Sequence, residues 1–326
     1  INFTRNIFSI ILIILIIFVI LCEIFMPFLI RITAPGFEKD IEKFTLTVTL
    51  SRIMFPSLMF LCYLTLLSGI LNSFNKFNAT SFASVILNIA MISSAFAIPY
   101  LKLENEVAYV FSFSVLIGHF LTMIWIIYSL AKDGIYILPI KPTFTQDVKS
   151  FFNKFFNSIL GSGIVQISTM VDMIMASLIP SAVSYIYYAD RLMNLPLALI
   201  GTAISTSTLP LLSRSCGNTI CKRLLQQRLL FFALFFTLPA GVVLFFYAHP
   251  IVSILFERDN FTAENAVIVA NLLKIYSTGL IALISLKILQ NSFYSNKDTK
   301  TPMLVGLFCL CLNILLNLIL MKQISF

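Results

Sequence analysis

The fold is decided by a stretch near the start of the chain, residues 7–20, which reads IFSIILIILIIFVI. A strand of a transmembrane barrel is about 10 residues long and alternates apolar with polar side chains. This stretch does not alternate, and Ser9 is its only polar residue. A run of roughly 20 apolar residues matches a helix that crosses the hydrocarbon core of a bilayer. The stretch therefore predicts a membrane-spanning helix.

The composition extends this prediction to the whole chain. Of the 326 residues, 59% are hydrophobic and 11% are charged, and the mean hydropathy is +0.97. Soluble domains carry about 25% charged residues. We predict an all-α polytopic membrane protein with nine spans, at about residues 6–30, 45–71, 79–99, 107–130, 151–178, 182–212, 228–249, 265–292 and 302–321.

Lysine and arginine residues are unevenly divided between the two ends of these spans. Counted over alternate loops, twelve lie on the side of residue 1 and six on the other side. Because loops rich in Lys and Arg stay in the cytoplasm, we predict that residue 1 is cytoplasmic. The net charge of +8 then reflects membrane topology. The expected partners of the loop cations are membrane lipids with anionic headgroups, and no nucleic acid.

Seven charged residues fall inside the predicted spans, where an ionisable side chain indicates a functional site. They are Glu23, Arg52, Asp172, Asp190, Arg191, Lys274 and Lys287. Glu23 and Arg52 lie near span ends and can instead extend to the membrane interface. Asp190 and Arg191 lie roughly nine residues inside a span, about 14 Å deep. We interpret these two as an ion pair that faces a cavity or a charged substrate.

An internal repeat is a second feature of the sequence. A shift of 222 residues places Arg52 on Lys274 and Ser73 on Ser295, with several leucines also matched. Polar turns follow both copies. Transporters are often built from two such repeats around a shared site. We predict that residues 45–99 and 267–321 superpose, with the repeats parallel.

Enzymatic and metal-binding motifs are absent from the sequence. The six cysteines form no CxxC pair and are expected to fill small apolar spaces. His119 and His249 stand apart from any carboxylate at ligand spacing. No loop is long enough to form a catalytic domain. We predict that the protein is not an enzyme.

Several segments, taken in order, resemble the MurJ (MviN) family of lipid II flippases. They are Thr33-Ala34-Pro35-Gly36-Phe37, Arg52-Ile53-Met54-Phe55-Pro56, Gly69-Ile70-Leu71-Asn72-Ser73, Leu87-Asn88-Ile89, Tyr187-Tyr188-Ala189-Asp190-Arg191-Leu192, Leu195-Pro196, Leu209-Pro210-Leu211-Leu212-Ser213-Arg214, Phe293-Tyr294 and Asp298-Thr299-Lys300-Thr301-Pro302. The resemblance covers essentially the whole chain.

The resemblance implies the fold of the multidrug/oligosaccharidyl-lipid/polysaccharide exporter superfamily. In that fold two six-helix lobes form a V around a cationic cavity, and two further helices follow. The nine spans would be the third to eleventh of fourteen. Residues 1–130 would belong to the N-terminal lobe, 131–150 to a cytoplasmic linker and 151–326 to the C-terminal lobe. The chain opens at Ile1 without a methionine and ends at Phe326 just after a span, so we interpret it as the interior of a larger protein.

The resemblance also implies a function. The protein would flip lipid II, the polyprenyl-pyrophosphate-linked peptidoglycan precursor, across the bacterial inner membrane by alternating access, acting as a monomer. The substrate-binding residues would be Arg191, Asp190, Arg52, Lys274, Lys287 and Asn194. The family usually has an acid or an amide at the position of Asn194.

Some members of the family hold a sodium ion, and Asp172, Asn313 and Asn317 are similar to its ligands. Asn313 and Asn317 are one helical turn apart and share a face. The alternative is a plain interhelical hydrogen-bond cluster. No other cofactor is expected.

Two further functions remain open from the sequence. One is a related exporter, either a flippase for polyprenyl-linked polysaccharide or a drug/cation antiporter. An antiporter should bury more acids than bases, whereas this chain places four cations and three acids in its spans. The other is a membrane scaffold or channel, which would have no reason to bury Asp190 and Arg191.

Overall fold

The structure is a computed structural model that describes residues 2–74, 76–101, 106–137, 139–202, 204, 219–296, 298 and 300–323. The α-helices in this part of the chain are α1 (Asn2–Ile24), α2 (Met26–Thr33), α3 (Ile41–Met54), α4 (Ser57–Ser73), α5 (Phe77–Leu101), α6 (Val107–Lys132), α7 (Gln146–Ser177), α8 (Ala182–Pro196), α9 (Thr219–Phe246), α10 (Ala248–Phe256), α11 (Ala263–Ser295) and α12 (Lys300–Gln323). A 3₁₀-helix spans Pro35–Lys39 and a π-helix spans Leu197–Thr202. Among the described residues the only β pairing is an isolated bridge between Arg258 and Phe261. The predicted all-α class is confirmed.

Seven helical segments of the described chain are long and apolar enough to cross a membrane. They correspond to seven of the predicted spans and are Phe3–Ile24, Ile41–Ser73, Phe77–Tyr100, Val107–Lys132, Arg223–Phe246, Ala263–Ser295 and Lys300–Leu320. The predicted span 151–178 falls on α7. The span predicted at 182–212 begins as α8 and continues into the π-helix. Its end, with the segment Leu209–Arg214, lies outside the described residues.

The chain divides into two compact units, Ile1–Phe155 and Phe156–Phe326, with the boundary inside α7. In the first unit, α4, α5 and α6 share a core of buried apolar side chains, which are Leu67, Leu71, Ala83, Ile126 and Leu130. Gly118 lets α6 approach α5 closely, since a Cβ atom there would lie 2.6 Å from Cδ1 of Leu87. Small residues at helix contacts are how membrane helices gain packing contacts.

The segment between α6 and α7 is fixed to the first turns of α1 in the same unit. The Asn6 side chain donates to the Thr143 carbonyl at 2.6 Å and accepts from the Thr143 amide at 2.8 Å. The Ser9 hydroxyl accepts from the Ile140 amide at 2.7 Å. Asn6 and Ser9 are both buried, so the bonds satisfy polar groups that would otherwise be costly to bury.

The second unit is built around α11. Leu273, Leu280, Ile284 and Ile288 on this helix are buried against α8, α9 and α10. The neighbouring helices contribute Ala189, Leu192, Met193, Ala233 and Val252 to the same core. The face of α8 that holds Ala189, Leu192 and Met193 is therefore inside, and the opposite face is exposed.

The helix boundaries follow the predicted 222-residue repeat. The shift places the pair α1 and α2 on α9 and α10, α3 and α4 on α11, and α5 on α12. The N-caps also correspond: Asp40 accepts from the Lys43 amide, and Thr262 accepts from the Asn265 amide three residues on. The repeat is thus present in the secondary structure as well as in the sequence.

The two copies differ where one carries a proline. The helix breaks at Phe55 and Pro56, between α3 and α4, whereas the equivalent residues Ser277 and Thr278 lie inside the continuous α11. Proline has no amide hydrogen and collides with the preceding turn, which favours an interruption in the first copy only.

Candidate functional site

The exposed face of α8 brings three of the predicted substrate-binding residues together. Asp190, Arg191 and Asn194 are all exposed. They lie opposite Ala189, Leu192 and Met193, which pack into the core of the second unit. The polar residues therefore share one surface of a helix whose other surface fixes its position.

The expected ion pair between Asp190 and Arg191 is wrong. Asp190 Oδ2 accepts a hydrogen bond of 2.7 Å from the side-chain amide of Asn194, and the ion pairs of the described residues do not include Asp190 with Arg191. Neighbouring residues on a helix do not face each other, whereas residues four apart do. Asp190 therefore pairs with an uncharged amide, and the Arg191 guanidinium is free of its neighbour.

Lys274 and Lys287 lie on α11, and both are half-buried. The Lys287 side chain lies beside the π-helix. Its Cδ atom is 3.8 Å from the position that a Cβ atom would occupy at Gly201. A Cβ atom at Gly201 would also lie 3.3 Å from Ile284. Glycine at this position therefore leaves room for the side chains of α11, including the aliphatic part of Lys287.

Arg52 lies in the first unit, at the end of α3, and its side chain is exposed. Its charge acts on the Glu23 carboxyl group of α1, although the two do not form an ion pair within 4.0 Å. Oε1 of Glu23 is buried without a hydrogen-bond partner. Arg52 thus acts electrostatically on a carboxyl group that has incomplete hydrogen bonding.

The three residues proposed for sodium form a hydrogen-bond cluster between α7 and α12. Oδ1 of Asp172 accepts from the side-chain amides of Asn313 at 2.9 Å and Asn317 at 3.0 Å. The Asn317 amide also lies 3.3 Å from the Asn313 oxygen. The cluster predicted as the alternative to a sodium site is therefore present, and it joins the two helices.

Tyr276 was missed by the sequence interpretation. It lies on α11, where both Asp190 and Asp172 act on it electrostatically. The tyrosine therefore lies near both the α8 surface and the cluster of α7 and α12. No motif in the sequence indicated it, because its position near the two acids depends on how the helices pack.

Of the two histidines, His119 has a local partner. Nδ1 of His119 lies 2.9 Å from the Val115 carbonyl on its own helix. Among the described residues no group of three or more His, Cys, Asp or Glu side chains could hold a metal ion.

Comparison with known proteins identifies the family. The family model described as "Lipid II flippase MurJ" matches residues 1–326. A relative from Rhizobium tropici, named "Probable lipid II flippase MurJ", is 35% identical over 328 residues, which cover 99% of this chain and 62% of the relative. The chain thus spans about three fifths of the length of the curated relatives it matches.

Solved structures agree with this match. The structure entitled "Lipid II flippase MurJ, inward closed conformation" gives a TM-score of 0.82 at 28% identity, covering 98% of this chain and 66% of that one. An inward-facing multidrug resistance transporter of the MATE family, in the MOP superfamily, gives 0.76 at 15% identity and shares the fold, covering 93% of this chain and 70% of that one. The chain therefore belongs to the MurJ family of lipid II flippases.

Proposed function

We propose that the protein to which this chain belongs moves lipid II from the cytoplasmic to the outer leaflet of the bacterial inner membrane. Membership of the family supports this substrate, as do the relatives whose names carry it. These names do not favour a polysaccharide flippase or a drug antiporter. The seven apolar helices support a multi-pass protein.

The proposal rests on the surroundings of Arg191. It is exposed on α8, and its neighbour Asp190 is bonded to Asn194 instead. A guanidinium donates two parallel hydrogen bonds to phosphate oxygens. The pyrophosphate of lipid II needs such a partner, because moving its charges through hydrocarbon without compensation is prohibitive. We infer that Arg191 binds this pyrophosphate.

The remaining cations would add attraction at longer range. Lys274 and Lys287 are half-buried on α11 of the same unit, where lower hydration strengthens their fields. Arg52 occupies the position equivalent to Lys274 in the first copy of the repeat. We infer that these three attract the anionic headgroup while Asp190 and Asn194 set the local charge around Arg191.

Transport of this kind has no covalent step. The lipid is the same molecule on both sides, so no nucleophile or general base is required. We infer that the protein is not an enzyme, that it works as a monomer by exposing its site alternately to the two sides, and that it has no nucleic-acid partner.

Complementation tests the proposal. In the full-length protein, Arg191→Ala should fail to rescue bacteria depleted of their lipid II flippase, and Arg191→Lys should rescue in part, because an ammonium lacks the fork geometry. Arg223→Ala, which removes an exposed arginine near the start of α9, is the control and should rescue fully. Immunoblots of membrane fractions check that each variant is inserted. Full rescue by Arg191→Ala would refute the assignment.

Sodium binding at Asp172, Asn313 and Asn317 is a separate proposal. Carboxylate and amide oxygens suit a hard cation, but the two amides here present N–H groups to the carboxylate. Turning both amides over would supply three oxygens and one negative charge, which fits a weak site. Sodium should then raise the thermal stability of the wild-type protein relative to potassium, and Asp172→Asn should remove the difference. Equal stability in both salts would leave only the hydrogen-bond cluster.

A further inference from the structure

A pocket of about 690 Å³ lies in the first unit, where the start of α5 meets the end of α6. Its lining includes Lys76, Phe82, Trp125, Tyr128, Lys132 and Asp133. Lys76 and Lys132 are near the ends of two adjacent spans, on the side that the lysine and arginine distribution predicts to be cytoplasmic. The pocket is therefore at the level of the lipid headgroups.

The pocket has a surplus positive charge. Lys76 forms an ion pair with Asp133. Lys132, in the last turn of α6, is exposed and takes part in no ion pair of the described chain. One ammonium group is thus available to an anion at the mouth of the pocket.

The wall beside Lys132 is aromatic. Trp125, Tyr128 and Lys132 are spaced at i, i+3 and i+7 and so share one face of α6. The Trp125 ring lies 5.1 Å from the Phe82 ring and 6.1 Å from the Tyr128 ring, measured between centroids. Its Nε1 donates to the Ala79 carbonyl at 3.1 Å, which fixes the indole across the start of α5.

The separation of Lys132 and Trp125 matches that between the phosphate and the upper acyl chain of a phospholipid. Trp125 and Lys132 are seven residues apart, about 10 Å along a helix. A phosphate at Lys132 would place the upper acyl carbons beside Trp125 and Phe82. Tryptophan and tyrosine are enriched at this depth of a bilayer because their rings are amphipathic.

We propose that this pocket binds an anionic glycerophospholipid of the surrounding bilayer, with its phosphate on Lys132 and its acyl chain on the aromatic wall. Basic pockets between membrane helices on the cytoplasmic side bind anionic headgroups in this way. The site uses none of the residues assigned to lipid II, and its occupant is retained by the protein and is not its cargo.

The sequence supplies a reporter for the test. Trp125 is its only tryptophan, and its fluorescence is quenched by bromine atoms that come into contact with the ring. The full-length protein, with Trp125 kept as its single tryptophan, is reconstituted in phosphatidylcholine vesicles. A minor fraction of the lipid is brominated phosphatidylglycerol, or in parallel brominated phosphatidylcholine, with bromines near the headgroup end of the chain.

We expect the brominated anionic lipid to occupy the pocket roughly fivefold more readily than the neutral one, the effect of one basic residue at an anionic surface. Lys132→Gln should abolish this preference, and Lys132→Arg should keep it. Lys149→Gln, which removes an exposed lysine on the same predicted side, is the matched control. Asp133→Asn should strengthen the preference, because it frees Lys76 from its ion pair.

Three results would overturn the proposal. Equal quenching by the two brominated lipids would show that charge plays no part. A preference that survives Lys132→Gln would place the anion elsewhere. Loss of the preference on adding soluble glycerol phosphate would identify a site for free phosphate anions. The gain expected for Asp133→Asn separates the proposal from a structural role for these residues, since disrupted packing would not increase binding.

Discussion

Asn194 donates the hydrogen bond of 2.7 Å that Asp190 accepts, one helical turn away on the exposed face of α8. The bond gives the Asp190 carboxylate a hydrogen-bond partner, but it neutralises neither the charge of Asp190 nor that of Arg191. The carboxylate therefore still acts on Arg191 through space, and it lowers the attraction of this surface for an anion.

Removing the charge of Asp190 should therefore strengthen lipid II binding. Asp190→Asn leaves a side chain that can still bond to Asn194. A like-charge interaction of order 1 kcal/mol between partly hydrated groups corresponds to roughly a fivefold lower Kd. The change in Kd is measured from lipid II binding to the reconstituted full-length protein at two salt concentrations. The gain should shrink at high salt, because exposed charges are screened within about 10 Å at 0.1 M. Weaker binding by Asp190→Asn at both salt concentrations would contradict this account.

The charge distribution predicts which loops face the cell exterior. In a cysteine-free background, cysteines placed at Lys39 and Asp259 should react with an impermeant thiol reagent in intact cells. A cysteine at Arg223 should react only after the cells are opened. All three positions are exposed, so differences report sidedness. The opposite pattern would reverse the orientation derived from the positive-inside rule.

Pro56 in the first copy of the repeat corresponds to Thr278 in the second copy. Each residue can be replaced by the other to test what the proline does. Thr278→Pro should destabilise α11 by about 3 kcal/mol or more, because it removes a hydrogen bond from the interior of a continuous helix. Pro56→Thr should be tolerated, because the chain already breaks there with turn bonds from Leu58 to Phe55 and from Met59 to Pro56. Thermal unfolding of the purified protein compares the two. Equal stability of Thr278→Pro and wild type would argue against the break as a proline effect.

Asp298 should make the start of α12 sensitive to pH. Hydrogen bonds from the side chain and amide of Thr301, together with the amide and charge of Lys300, hold the pKa of the Asp298 carboxyl below its usual range. Because this pKa is depressed, the stabilisation is present above about pH 4 and is lost as the pH falls through the lower folded value. The thermal stability of wild type should therefore exceed that of Asp298→Ala at neutral pH and approach it in acid. Asp298→Asn, which can still cap the helix, should show a flatter pH dependence than wild type.

Much of the fold follows from sequence pattern. Apolar runs identified the helices, and the alignment of Arg52 with Lys274 gave a repeat that the helix boundaries follow. The breaks at Phe25 and Tyr247 were not predicted, because both lie within predominantly apolar stretches and the hydropathy pattern does not show a turn. Pro27 and Pro250, just beyond these breaks, were the available signals. The π-helix Leu197–Thr202 follows Pro196 directly and packs against α11 through Gly201, and it was not predicted.

The sequence identified residues that lie together in the structure, but it did not identify their hydrogen-bond partners. Charge within apolar spans identified Asp190, Arg191 and Asp172, and the spacing of Asn313 and Asn317 gave their shared face. The pairing of Asp190 failed because adjacency in sequence was treated as contact, whereas helical geometry favours the residue four positions on. Trp125 was not singled out, since its proposed role depends on the start of α5 lying beside the end of α6.

The repeat also bears on how such a protein arises. The second copy begins six predicted spans after the first, and six is an even number. A gene duplication of that unit returns the chain to the starting side of the membrane before the second copy begins. Both copies then enter the membrane in the same direction. An excess of lysine and arginine in the loops on one side of the membrane therefore orients both copies. The Phe55–Pro56 break, present in only one copy, shows that the two copies need not share every bend to share this direction.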